Sequence, residues 1–291
     1  MIRKLILLSL VLLLASCSSS QDKLKISATT WVGYSPLYYA KAKGWLEPLD
    51  IQLLHVVSLS ENMYLYQAGN ADAYVGTQYE YNVMSAQKPT LKPVMMFDRS
   101  NGGDLILSNV SIEELKNTKQ TIDAYLEMDS VNRVLLHDFM EKYQISRDRV
   151  HLINNDQAII SSLNMQNMKG PTIIVTYTPY NVSLEQQGFH EVASTRDGLD
   201  LLVVDALFTT QDVLRAHKKQ FLALKGLVAK AVAALKANPE EFYKTVKPYM
   251  LEVSYQDFLS SLHDIVWIND KLPEQLQSRL KQSKFDTRFL L

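Results

Sequence analysis

The chain has a single cysteine and six histidines in 291 residues. One thiol cannot form an intrachain disulfide, and neither an HExxH helix nor a CxxC pair is present. A disulfide scaffold and a zinc site are therefore both excluded as organising principles. His137 and His151 stand far apart in sequence and read as structural or exposed. Excess charge is also missing: 30 basic and 31 acidic residues leave a formal net charge of −1. Interspersed charges of both signs argue against a nucleic-acid or polyanion surface. Neither a GxSxG elbow nor a P-loop occurs. The acid pairs Glu113-Glu114 and Glu240-Glu241 fall at expected helix starts, where the helix dipole accounts for them without catalysis. Beyond the leader there is no short-period repeat, heptad array or low-complexity block.

The leader is the most explicit signal. Arg3 and Lys4 precede an apolar run from Leu5 to Leu14. That run is too short for the roughly 20 residues of a spanning helix, so residues 1–16 read as a signal peptide. Leu14-Ala15-Ser16-Cys17 resembles the lipobox of bacterial lipoproteins. The resemblance implies cleavage before Cys17 and its acylation with fatty acids such as palmitate. Several chains, at about 0.8 kcal/mol per buried methylene, would hold the protein on the membrane. Residues 17–23 then form a polar tether. With Cys17 consumed, a domain of about 270 residues must be held by its core alone. A chain of that length buries roughly three quarters of its surface and usually divides into more than one lobe.

Past the tether, short β-branched runs alternate with amphipathic stretches, the pattern of βα units on parallel sheets. Strands are expected at Leu24–Ala28, Ile51–Val56, Ala73–Val75, Pro93–Phe97 and Leu105–Leu107. Helices are expected from about Leu37 to Lys43 and from Ser60-Glu61 through Ala68. The pattern then restarts, with strands at Thr121–Tyr125, Val150–Ile153, Thr172–Thr176 and near Glu191–Ala193. Asp129 or Ser130 caps a helix to Tyr143, and further helices are expected over Asp156–Asn164 and Tyr180–Gln187. Leu201–Phe208 is another buried run. The tail is helical: Gln211–Leu235, Pro239–Val246, Tyr255–Leu262 and Pro273–Gln282.

In open parallel sheets, ligands bind at the carboxyl ends of the strands. The loops there supply the candidate ligand-binding residues. Trp31, Gly33, Tyr34 and Ser35 follow the first strand, where Pro36 opens a helix. Ser58 and Ser60 follow the second, Ser60 as a ligand group or a plain N-cap. Thr77, Gln78 and Tyr79 follow the third, and Ser100 and Asn101 the fourth. The second half contributes Glu127, Ser130 and Asn132, then Tyr177, Thr178 and Tyr180. Asp205 lies near the return crossing. Trp31 and Tyr34 sit in a turn, which favours ligand contact over core packing. Tyr38, Tyr39 and Tyr81 lie on helices and read as packing residues. An aromatic lining suits flat rings or cations. Glu80, Glu127 and Asp129 near the same loops lean toward a cationic or hydrogen-bond-donating ligand, away from sulfonate or nitrate.

The segment Trp31-Val32-Gly33-Tyr34-Ser35-Pro36-Leu37-Tyr38-Tyr39-Ala40-Lys41-Ala42-Lys43-Gly44-Trp45 resembles one family. It is the nitrate, sulfonate, taurine and thiamine-precursor group of ABC-transporter substrate-binding proteins. The likeness continues at Gly69-Asn70-Ala71-Asp72-Ala73, Asp98 to Asp104, Leu126 to Asn132, Val175 to Tyr180 and Leu235 to Tyr243. The family's Thr-Trp-Glu-Pro-Tyr appears here as Thr-Tyr-Thr-Pro-Tyr. The resemblance implies an α/β, two-lobe type II periplasmic binding protein fold with a cleft between lobes. Lobe 1 would hold residues 24–107 plus 202–291 and lobe 2 residues 108–201, with hinges near Leu107-Ser108 and Gly198–Leu202. It further implies binding of a small organic ligand by hinge closure, without catalysis, cofactor or metal. The partners would be a membrane permease and ATPase, and the place the cell membrane, anchored by lipid and facing the periplasm or exterior. Presentation of the closed form to a membrane receptor is a second reading, and an enzyme of precursor biosynthesis a third. A related eukaryotic group makes a pyrimidine from its own residues with a cysteine-rich stretch, which this chain lacks.

Overall fold

The computed structural model describes residues 23–196, 201–269, 271–282 and 285–291. Cys17 and Gly198–Asp200 lie outside the described residues. The chain lays down β1 (Leu24–Ala28), β2 (Ile51–His55), β3 (Ala73–Thr77) and β4 (Leu91–Ser100). It crosses to form β5 (Asp104–Ser108), β6 (Ile122–Leu126), β7 (Val150–Asn154), β8 (Thr172–Tyr177) and β9 (His190–Ser194), and returns for β10 (Val204–Thr210) and β11 (Ile265–Trp267). Two sheets result, in the orders β11-β4-β10-β3-β1-β2 and β7-β6-β8-β5-β9. The runs β2-β1-β3 in the first sheet and β7-β6-β8 in the second are parallel. The strand that has just crossed is inserted antiparallel between the third strand and the last ones. β3, β5 and β8 are buried along their whole length, as expected of strands covered on both faces.

Membership of β5 moves one expected boundary. Leu105–Leu107 belongs to the second sheet, so the chain crosses at Asn101–Gly103 rather than at Leu107-Ser108. The crossings are tied together. Ser100 Oγ and Thr195 Oγ1 lie 2.8 Å apart, the Gly102 amide donates to Thr195 Oγ1 at 2.8 Å, and Arg196 pairs with Asp264. Gly102 has φ +117°, a conformation that favours glycine.

The helices are α1 (Ser35–Ala42), α2 (Leu59–Gln67), α3 (Gln78–Gln87), α4 (Ile112–Asn117), α5 (Val131–Tyr143), α6 (Gln157–Ile160), α7 (Asn181–Gln186), α8 (Gln211–Ala216), α9 (Lys218–Ala237), α10 (Pro239–Val246), α11 (Tyr255–Ser261) and α12 (Glu274–Gln282). α9 buries Phe221, Leu224, Val228, Ala231, Val232 and Leu235, a helical-period stripe that packs on α1. Phe242 of α10 stacks on Tyr39 of α1 at 4.5 Å between ring centres. The helical tail thus completes the core of the first sheet.

Three sequence expectations change in detail. The helix expected over Gln211–Leu235 is two helices, because His217 leaves helical geometry at φ −113°, ψ 21°. The helix expected over Asp156–Asn164 ends at Ile160. There the Ser161 and Ser162 hydroxyls bond back to the Ala158 and Ile159 carbonyls, competing with the helix. α2 starts one residue before Ser60, capped by Ser58, whose Oγ accepts from the Glu61 amide at 3.0 Å.

Candidate functional site

The two sheets present the carboxyl ends of their parallel strands to one another, and a small cavity of about 10 Å³ lies between them. That is room for about one water-sized sphere. Its walls come from both halves. Thr29, Trp31 and Tyr34 follow β1, Leu59 opens α2 and Thr77 ends β3. Opposite them stand Asp104 at the start of β5 and Tyr177 at the end of β8, and Asp205 enters from β10. The two aspartates hold equivalent positions. Asp205 pairs in register with Thr77 at the end of β3, and Asp104 with Tyr177 at the end of β8. Each crossing strand, running antiparallel to its neighbours, therefore delivers a carboxyl to the end of the sheet where parallel strands finish.

Several partners fix these groups. The Trp31 indole donates to Asp98 Oδ1 at 3.0 Å, and the Tyr34 hydroxyl donates to Asp205 Oδ1. Gly33 permits the first contact, since a Cβ there would overlap Asp98 Oδ2 and the Trp31 Nε1. The Trp31 and Tyr177 rings meet edge-on, 6.0 Å apart at 72°, and Tyr177 meets Tyr180 at 5.3 Å and 88°. Asp98 Oδ2, Asp104 Oδ2, the Tyr177 hydroxyl and Thr29 Oγ1 are buried without a hydrogen-bond partner.

Two glutamates join the halves reciprocally. Glu80, on α3 of the first half, accepts the Val131 amide at the start of α5 at 3.0 Å. Glu127, of the second half, accepts the Leu59 amide at the start of α2 at 3.3 Å and the Gln157 amide at the start of α6 at 3.2 Å. Carboxylates at helix N-termini satisfy free amides and complement the helix dipole. At the rim, the Tyr64 hydroxyl donates to Asp129 at 2.6 Å.

Desolvation governs the electrostatics. Burial pushes Asp104 up to about 7, although a Ser100 hydrogen bond opposes it. Glu127 rises to about 8 for the same reason, against the pull of the Gln157 and Leu59 amides. Asp98 rises to about 8 by burial, against the Trp31 hydrogen bond and with the repulsion of Asp104. Asp205 is raised well above the carboxylate range by burial and by the charge of Asp98, and Glu80 is raised by burial. Among the described residues no lysine, arginine or histidine lines the cavity.

The structure brings Trp31, Tyr34, Thr77, Tyr177 and Asp205 to the cavity wall. Gly33, Glu127 and Tyr180 support that wall from behind. Ser35 and Thr178 are buried with unpartnered hydroxyls, and Ser58 and Ser130 act as N-caps. Asn132 is engaged by Gln157, and Ser100 and Asn101 belong to the tied crossing. Gln78 is spent on the Leu202 and Val204 backbone. Tyr79 faces a surface groove with Val131 and Leu202, and Ser60 is an interior residue of α2. Sequence reading passed over Thr29, Leu59, Asp98 and Asp104. The available signal for Asp104 was an acid opening a strongly apolar strand.

Two sheets of this strand order, closed over a shared cleft, define the periplasmic binding protein fold. Solved structures agree. The alkanesulfonate-binding protein SsuA of Xanthomonas axonopodis pv. citri, bound to MOPS, superposes with TM-score 0.71 at 14% identity, over 94% of this chain and 99% of that one. The nitrate-binding protein NrtA of Synechocystis PCC 6803 gives 0.63 at 15%, over 82% and 69%. A Candida albicans protein described as having the generic periplasmic binding protein fold gives 0.64 at 13%, over 91% of each chain. No curated protein matches the chain in sequence. The family model described as NMT1/THI5 like matches residues 31–242, and the chain belongs to that family.

Proposed function

We propose that this protein is a lipid-anchored, extracytoplasmic solute-binding component of an ABC import system, which closes two lobes over a small organic solute and catalyses nothing. The observation that carries the reading is the cavity between the sheets, walled by strand-end residues of both halves. A ligand there touches both lobes only when they are closed, so it stabilises the closed state by its extra contacts. Binding proteins for sulfonate and nitrate with the same fold support the transport role. The lobes would be residues 24–100 with 204–291, and 104–194. The hinge lies where Asn101–Gly103 and Thr195 meet. The anchor is Cys17, and among the described residues no helix is long and apolar enough to cross a membrane.

A thermal-shift screen of amines, pyrimidines, sulfonates and aromatic acids tests the binding role. A ligand at about 100 times its dissociation constant adds about 2.7 kcal/mol. No shift from any of them, with scattering that reports one unchanging body, defeats it. Cys17→Ser should release the protein from the membrane fraction; continued attachment defeats the anchor. Product analysis after prolonged incubation with each hit tests the absence of turnover.

A further inference from the structure

We propose that the solute is an organic ammonium cation carrying at least one N–H, received by Asp104 and Asp205 against the rings of Trp31, Tyr34 and Tyr177. This rests on the solute-binding reading above and gives it a charge. The first argument is the wall itself. Asp104 is 4% exposed and Asp205 3%, both line the cavity, and Asp98 stands behind Trp31. Asp104 Oδ2 has no donor, and the Tyr177 hydroxyl and Thr29 Oγ1 on the same cavity are likewise unpartnered. A buried carboxylate oxygen with no donor, aimed at a cleft that opens, is an acceptor waiting for one. The neighbouring cations are committed elsewhere: Arg196 pairs with Asp264, and Arg99 bonds Asn101.

The second argument is that two of the places an anion would use are taken. In a cleft of strand ends, the positive poles of helix N-termini are the ordinary anion receptors. Here the starts of α2 and α5 donate to this protein's own carboxylates, Leu59 to Glu127 and Val131 to Glu80. A sulfonate, nitrate or carboxylate headgroup entering the cavity would meet Asp104 and Asp205, with the poles of α2 and α5 already filled. The third argument separates organic cations from metal ions. Trp31 and Tyr177 meet nearly at right angles, which gives a positive charge ring faces and edges to rest against. Among the described residues, no group of three or more His, Cys, Asp or Glu side chains is arranged to hold a metal ion.

The test uses the full chain in detergent at pH 7.5, with thermal shift followed by calorimetry. The probes are ethanolamine, putrescine, spermidine, benzylamine and tyramine as amines. Choline serves as a cation without N–H, methanesulfonate, nitrate and benzoate as anions, benzyl alcohol as a neutral ring, and magnesium and zinc chlorides as metals. The expected result is stabilisation by one or more amines and by no anion. N-acetylation of the best amine should weaken it at least tenfold on the unaltered protein, and Asp104→Asn should weaken the parent amine by a similar factor. The acetyl comparison stands even where the variant folds poorly. Stabilisation by an anion, a neutral ring or a metal ion, with none by amines, overturns the charge assignment and leaves solute binding intact. Choline binding as tightly as the best amine overturns the N–H requirement. Stabilisation by no probe of any kind overturns the charge assignment and the solute-binding reading together.

Discussion

Raising the pH should loosen the unliganded protein, the reverse of ordinary acid denaturation. Among the described residues seven carboxyls are pushed upward, chiefly by burial: Glu185 and Asp264, and five at the cleft, Glu80, Asp98, Asp104, Glu127 and Asp205, with Asp104 at about 7 and Asp98 and Glu127 at about 8. Their ordinary values are 3.8 for aspartate and 4.5 for glutamate. Between those limits the folded chain holds protons that the unfolded chain has released. The resulting stability is fully present below about pH 4 and is lost as pH rises through about 8. Each proton retained corresponds to about 1.4 kcal/mol per pH unit, so even two of the five retained give about 2.7 kcal/mol per unit. For a chain of this size that is roughly 5–10 °C of melting temperature per pH unit. His55, lowered by burial, opposes the trend below about pH 6.5, and Asp286, held at about 2, acts outside the window. The exposed Glu240 and Glu241, both lowered, add little. On the proposed hinge-closure reading, the lobes also escape the penalty by opening, which wets the carboxyls before any unfolding. Melting curves and X-ray scattering from pH 5 to 8 at fixed ionic strength, without ligand, read both routes. The expected outcome is a falling melting temperature, a rising radius of gyration, and a flatter profile for Asp104→Asn. A melting temperature that is level or climbs across pH 5–7.5, with an unchanged radius, would refute the reasoning.

The remaining expectations concern single side chains. Glu127→Gln removes one of the two carboxyl oxygens that accept the Leu59 and Gln157 amides and should cost the closed state about 1–3 kcal/mol, read as a larger radius of gyration with secondary structure intact; an unchanged radius counts against the latch. Gly33→Ala places a methyl against Asp98 and the Trp31 indole and should destabilise by about 1–3 kcal/mol, measured by urea unfolding. Phe242→Ala empties a fully buried ring site stacked on Tyr39 and should cost about 3–5 kcal/mol in the same assay, while leaving the cavity wall untouched.

Much of this architecture is legible in the chain because strands buried on both faces are continuous apolar runs. Thr172–Thr176 and Leu105–Leu107 read as strands for that reason, and Leu24–Ala28 reads by alternation. Caps were visible where a hydroxyl precedes a helix, as at Ser130, and were misplaced where two serines compete, as at Ser58 and Ser60. Loop residues with aromatic or hydroxyl side chains were found because position after a strand marks them. Asp98 and Asp104 escaped because they sit within strands, and burial of a carboxyl there depends on a second sheet closing over it. The sheet to which β5 belongs is likewise a long-range fact: its partners, β8 and β9, are separated from it by the whole second half.

The same long-range closure gives Glu80 and Glu127 a meaning that neither has alone. Glu80 completes a capping box on its own helix, with Thr77 as the cap, and that role is fully local. Its other oxygen, however, reaches the start of α5 in the opposite half, while Glu127 reaches back to the start of α2. Each half thus supplies an acid for the other's helix pole, so closing the lobes satisfies amides and buries two carboxylates in one motion. Burial and satisfaction oppose each other at both acids: desolvation raises them, and the amide hydrogen bonds lower them. On the proposed solute-binding reading, a positive charge in the cavity lies beside Asp98, Asp104 and Asp205 and favours their ionised forms without breaking either bridge. On that reading closure and charge selection are one event: a cation favours the shut cleft, and an anion disfavours it.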